Sequence, residues 1–129
     1  MCLVVKNPKI RIAKRDLTFY KVMEKSGTFG LYHTLFNNTD KYYPLNEMIY
    51  NRGNISLDIN RVSSKRGCFN IKGGFFHLFK TKKAAQELLE RGESVWDWEM
   101  LKAIVPKGAF YIKGDDDTVV TDTVIYKKL

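Results

Sequence analysis

Cysteine, histidine and proline are all scarce in this sequence, with two, two and three residues among 129. Cys2 and Cys68 lie far apart and outside any metal-ligand spacing, so both read as free thiols of a reducing compartment. His33 and His77 are equally isolated. A zinc site needs three or four nitrogen, sulfur or carboxylate ligands, and no cluster of the sequence supplies them. No apolar run approaches the roughly 18 residues that span a bilayer, which excludes a transmembrane helix. Leu3-Val4-Val5 is too short for a signal-peptide core and has no basic segment ahead of it, so a cytoplasmic location is expected. Repeats and low-complexity tracts are missing as well.

Acidic residues are the other shortage: 14 Asp and Glu stand against 22 Lys and Arg, a net charge of +8. The imbalance belongs to one part of the chain. Residues 1–80 carry 14 basic and 5 acidic side chains, whereas residues 81–129 carry 8 and 9. If the first two thirds share a face, that face attracts anions: phosphate groups, nucleic acid or an acidic protein. The plainer alternative is charge that keeps a small domain soluble.

An apolar content of 44%, with 13% aromatic residues, is enough for one packed domain over residues 1–129 and too high for disorder. The pattern predicts an α+β fold dominated by β-strands, antiparallel or mixed, with one main helix. Residues 6–15 read as an approach segment, and Leu17 to Met23 as the first strand. Lys25 to Gly30 is a turn, Leu31 to Phe36 a second strand, and Asn37 to Asp40 a loop. Tyr42-Tyr43-Pro44 reads as extended, because proline biases its predecessor away from helix. Ile55, Leu57 and Ile59 alternate as in a half-buried strand, followed by a basic loop from Ser63 to Gly67. Phe75 to Phe79 is a short apolar strand. Thr81 then caps a helix of about residues 81–91, with Ala84, Ala85, Leu88 and Leu89 on one stripe and Gly92 ending it in a left-handed conformation. Trp96 to Val105, Phe110 to Ile112 and Thr118 to Tyr126 are strands, joined by a Pro106-Lys107-Gly108 turn and a Gly114–Asp117 loop.

Candidate chemistry is thin. Cys2 follows Met1, and removal of Met1 would leave a thiol and an α-amine to act as nucleophile and base, as in N-terminal nucleophile hydrolases. A chain of this length is short for that four-layer fold, and a small apolar residue at the chain start is the simpler reading. His77 lies among Phe75, Phe76 and Phe79 and reads as a sheet-face histidine, since no orienting partner for a general base can be named. Asp115-Asp116-Asp117 matches no calcium-loop spacing and reads as a solvated turn. Gly27, Gly30, Gly73 and Gly74 lack the longer pattern of phosphate loops. No motif calls for a cofactor. The basic set Lys6, Lys9, Arg11, Lys14, Arg15, Arg61, Lys65 and Arg66, interleaved with Phe19, Tyr20, Tyr42 and Tyr43, is the candidate partner-binding face.

Several short segments go together: Met1-Cys2-Leu3-Val4, Pro8-Lys9-Ile10, Ala13-Lys14-Arg15-Asp16-Leu17 and Tyr20-Lys21-Val22 near the start. Gly74-Phe75-Phe76-His77, Lys83-Ala84-Ala85, and Val105-Pro106-Lys107-Gly108 with Tyr111 and Gly114 follow. In these the chain resembles a group of small uncharacterised accessory proteins of gut Bacteroidales bacteria and their phages. The resemblance implies a setting, a short phage or mobile-element accessory protein that acts on a host component or defence system. Together with the charge asymmetry and the missing catalytic constellation, it leads to the expectation of a non-enzymatic protein in the host-cell cytoplasm. Such a protein would bind a host protein or nucleoprotein through its basic face, as an inhibitor or decoy. The order of a Tyr-bearing strand, a Gly-Phe strand leading into a helix, and a late Val-Pro-Lys-Gly turn is also similar to ADP-ribosyltransferase folds. That second resemblance implies a nucleotide site at Tyr20, Lys21, His77 and Glu99, with Glu99 polarising a nicotinamide ribose. Lys21 stands where that family has arginine, and His77-Leu78-Phe79 replaces its Ser-Thr-Ser. Direct nucleic-acid binding is the third alternative.

Overall fold

The computed structural model describes residues 2–4, 9–25, 30–34, 42–50, 59–63, 68–71, 75–92 and 97–129. Thirteen strands and one helix are found among them. The strands are β1 (Cys2–Val4), β2 (Arg11–Ile12), β3 (Leu17–Lys25), β4 (Tyr32–Thr34), β5 (Tyr42–Tyr43), β6 (Met48–Tyr50), β7 (Ile59–Ser63), β8 (Cys68–Ile71) and β9 (Phe76–Phe79). After the helix α1 (Lys82–Gly92) come β10 (Trp98–Val105), β11 (Phe110–Lys113), β12 (Thr118–Thr121) and β13 (Thr123–Lys128). Every pairing between these strands is antiparallel. The α+β, β-dominated class expected from the pattern is what the chain adopts.

The main sheet runs β2-β11-β12-β9-β3-β10-β13-β6, with β4 and β5 branching from β3. Because β12 and β13 are separated only by Asp122, the hydrogen-bonded path returns on itself. It passes from β3 through β10 to β13, back along the chain into β12, and through β9 to β3. The interior of this ring is the core. Phe19 and Met23 enter from β3, Leu101, Ala103 and Val105 from β10, Val124 and Tyr126 from β13, Val119 from β12, and Phe76 and Leu78 from β9. Strict alternation of side chains along a strand accounts for this set. The thin point of the ring is β3 against β9, which share the single residue pair Tyr20 and Phe79. Beyond it β4 takes the same edge of β3, and the Lys21 ammonium donates to the His77 carbonyl at 2.7 Å.

Helix α1 lies outside the ring, against β3, β9 and β10. Thr81 Oγ1 accepts from the Ala84 N–H at 3.2 Å, the expected cap. Ala85 packs with Val22 and Met100, flanked by Tyr20, Phe79, Leu88, Leu89 and Trp98. Gly92 closes the helix for a different reason from the one expected. It does not take the left-handed conformation that Gly30 and Gly108 take. Instead, a Cβ at position 92 would stand 2.2 Å from Trp98 Cε3, so the glycine admits the indole.

The expected strand from Thr118 to Tyr126 is two strands, and buried polar groups break it. Asp122 Oδ1 accepts from the Phe110 N–H at 3.1 Å and from Thr123 Oγ1 at 3.0 Å. Thr121 Oγ1 donates to the Phe110 carbonyl at 2.9 Å. These bonds turn the chain from the β11–β9 neighbourhood into that of β10 and β6. Further differences are small. Arg11–Ile12 is a strand inside the supposed approach segment, and Met48–Tyr50 is a strand that the pattern did not mark. The expected segments over residues 26–29, 35–41, 51–58 and 64–67 lie outside the described residues. Among the described residues no helix is long and apolar enough to cross a membrane.

Candidate binding cleft

Lys14 and Arg15 stand on a bend that is pinned on both sides. The Ala13 N–H donates to the Ala109 carbonyl at 2.9 Å, and the Gly108 N–H donates to the Ala13 carbonyl at 2.8 Å. Ala13 itself is buried. Beyond the two cations, Asp16 Oδ1 accepts from the Lys107 N–H at 2.8 Å. Gly108 takes a φ of 91°, a conformation that L side chains rarely adopt. The Pro106–Lys107–Gly108 turn is therefore the scaffold that holds the basic segment in place.

Around this bend lies an open cleft of about 510 Å³, lined by Lys9, Ile10, Arg11, Ile12, Lys14, Arg15, Leu17 and Tyr111. Four of these residues are cationic and none is acidic. A second cleft of about 470 Å³ adjoins it, lined by Arg15, Asp16, Leu17, Thr18, Phe19, Tyr111 and Lys113. Arg15, Leu17 and Tyr111 belong to both. Lys9, Arg11, Lys14, Arg15 and Lys113 are exposed, whereas Tyr111 is half-buried, with its ring packed on the core. With so many like charges and so little carboxylate, the cleft carries a positive potential and draws anions.

Four of the eight residues of the expected basic face, Lys9, Arg11, Lys14 and Arg15, thus meet in one cleft. Lys6, Lys65 and Arg66 lie outside the described residues, and Arg61 falls in β7, where only the backbone is described. Of the aromatic residues expected to interleave with them, Phe19 lines the second cleft. Tyr20 packs toward α1, Tyr42 lies against His33, and Tyr43 packs against Phe76 and Tyr126. Sequence reasoning missed Tyr111 and Lys113. The alternation of Phe110, Tyr111, Ile112 and Lys113 puts both on one face of a strand, but only the β2–β11 pairing brings that face to the basic segment.

The four residues of the nucleotide reading divide between two sheet faces. Tyr20 pairs with Phe79, so it shares a face with His77. Met23 pairs with Glu99 and Lys21 with Leu101, which sets Lys21 and Glu99 on the opposite face. Burial lowers the Lys21 amine to about 8. His77 is pushed down to about 3 by burial and by the Lys21 charge, and its Nδ1 finds no hydrogen-bond partner among the described residues. It is held as a neutral ring. Glu99 accepts from the Tyr32 hydroxyl at 2.8 Å and lies 3.6 Å from the Lys128 ammonium. Burial, followed by this hydrogen bond and the Glu99 charge, raises Tyr32 to about 12.

The remaining candidates have local partners. Asp116 Oδ1 accepts from the Thr118 N–H and hydroxyl at 3.1 and 2.5 Å. Lys80 ties the same loop to the end of β9, donating through Nζ to the Gly114 carbonyl at 2.6 Å. Among the described residues no group of three or more His, Cys, Asp or Glu is placed to hold a metal ion. Cys2 lies in β1, where only the backbone is described. No protein-family model, curated protein or solved structure matches the chain at a significant level.

Proposed function

We propose that this chain is a non-catalytic binding protein that engages a host macromolecule through its basic face, as an inhibitor or decoy of the phage accessory type its sequence resembles. One observation carries the reading: Lys9, Arg11, Lys14 and Arg15 line a single cleft, with no carboxylate among its lining residues. A pinned bend loses little backbone entropy when an anionic partner docks, and preorganisation of this kind favours affinity. Their charge also steers encounter with a negatively charged surface.

The test is affinity capture from bacterial extract at low salt, comparing the native chain with a Lys14→Glu/Arg15→Glu double variant of equal thermal stability. The reading expects a macromolecule held by the native chain and released by the variant. Equal capture by both would remove the basic cleft from the interaction.

A further inference from the structure

The chemistry of the cleft narrows the partner further. Its two halves meet at Tyr111, whose ring is half-buried against the core and forms part of both walls. Arg11 sits directly opposite Tyr111 in the β2–β11 ladder, and Thr121 sits opposite it on the other side. The backbone of Tyr111 is therefore fixed between two paired strands, and its ring, half-buried on the core, loses little rotamer freedom when it is used as a surface. Cations line both clefts, Lys14 the first, Lys113 the second and Arg15 both, against the single carboxylate of Asp16 in the second.

We propose that the occupant is a single-stranded nucleic acid, with phosphates on Arg11, Lys14, Arg15 and Lys113 and a base against Tyr111. The proposal rests on the basic-face reading above and names its partner. A positively charged groove combined with an aromatic platform is the arrangement that tracks an unpaired strand. An acidic peptide would satisfy the cations but leave the ring idle. A duplex would meet the cations through its phosphates but keeps its bases stacked on one another, so it too would leave the ring idle.

Fluorescence anisotropy of the full chain with a labelled oligothymidylate of about 12 nucleotides tests this, with a polyglutamate peptide and a DNA duplex of the same length as comparison probes. The expected result is binding of the oligothymidylate that weakens with salt, with a log–log slope of about 0.7 per phosphate contacted. Arg15→Glu and Tyr111→Leu should each weaken it roughly tenfold, while Tyr111→Phe binds like the native chain. Should Tyr111→Leu unfold, Lys113→Glu takes its place with the same expected loss. Polyglutamate that binds more tightly than the oligothymidylate and still depends on Arg15 would overturn the nucleic-acid proposal and leave the basic-face reading standing. Preference for the duplex would overturn the single-strand assignment. No binding of any probe at low salt would overturn both.

Discussion

Arg11 and Tyr111 face each other directly across the β2–β11 ladder, and this pairing assembles the basic cleft. A two-residue strand is a weak element by itself. Here it is fastened by the Ala13–Ala109 and Gly108–Ala13 hydrogen bonds immediately beyond it. The turn at Pro106–Gly108, far from the basic segment in sequence, thereby decides where Lys14 and Arg15 stand. Gly108→Ala would force a Cβ into a φ of 91°, at a cost of about 1–2 kcal/mol, and would disturb this register. It should weaken anion binding without removing any charge, as a titration of the variant would show.

Asp122 is the corner on which the ring closes. Asp122→Ala removes the acceptor for the Phe110 N–H, in a part-buried setting, and for the Thr123 hydroxyl, in a buried one. The loss should be about 2–4 kcal/mol, read from urea unfolding. Asp122→Asn can keep both bonds, because both go to the single oxygen Oδ1; it gives up only their charge assistance and should lose about 1 kcal/mol.

Gly92→Ala brings two effects into opposition. Alanine is favoured over glycine in a helix by about 1 kcal/mol. The added methyl, however, would overlap Trp98 at 2.2 Å, and overpacking of this kind costs about 1–3 kcal/mol. The steric effect should win. A lowered thermal midpoint and a changed near-ultraviolet tryptophan signal are the expected outcomes.

His77 makes stability depend on pH. Its folded pKa of about 3 lies below the ordinary value of 6.5. Between those values the unfolded chain binds a proton that the folded chain refuses, so stability falls as pH falls from 6.5 toward 3. The slope contributed by this one group is about 1.4 kcal/mol per pH unit in the middle of the window. His77→Leu should flatten that part of the curve of unfolding free energy against pH. An unchanged slope would show that other groups govern the acid limb.

Tyr32, Glu99 and Lys128 separate a buried interaction from an exposed one. Tyr32 is almost wholly buried and donates to Glu99 at 2.8 Å, whereas the Lys128 side chain is 61% exposed and 3.6 Å away. Tyr32→Phe should cost about 1.5–3 kcal/mol and Lys128→Ala no more than about 0.5 kcal/mol. Thermal melts of the two variants decide the order.

The fold was legible wherever periodicity and punctuation were strong. The run of β-formers through Leu17–Met23, the cap at Thr81 and the turn at Pro106–Gly108 each follow from local chemistry and each stand in the structure. What the sequence hid depends on contacts distant along the chain. Asp122 reads as one polar residue in a β-run until Phe110 is known to be its partner. Gly92 reads as a helix stop until Trp98 is placed against it. The candidate site was half legible for the same reason: charge density marked Lys9 to Arg15, while Tyr111 and Lys113 became part of the site only through strand pairing.

The measurement to make first is a two-dimensional amide NMR titration of the isotopically labelled chain with oligothymidylate at low salt. Perturbations clustered at residues 9–19 and 110–113, reduced by Lys14→Glu/Arg15→Glu, are the expected result. Perturbations centred instead on Tyr20, His77 and Glu99, or none at all, would contradict the basic cleft as the nucleic-acid-binding face.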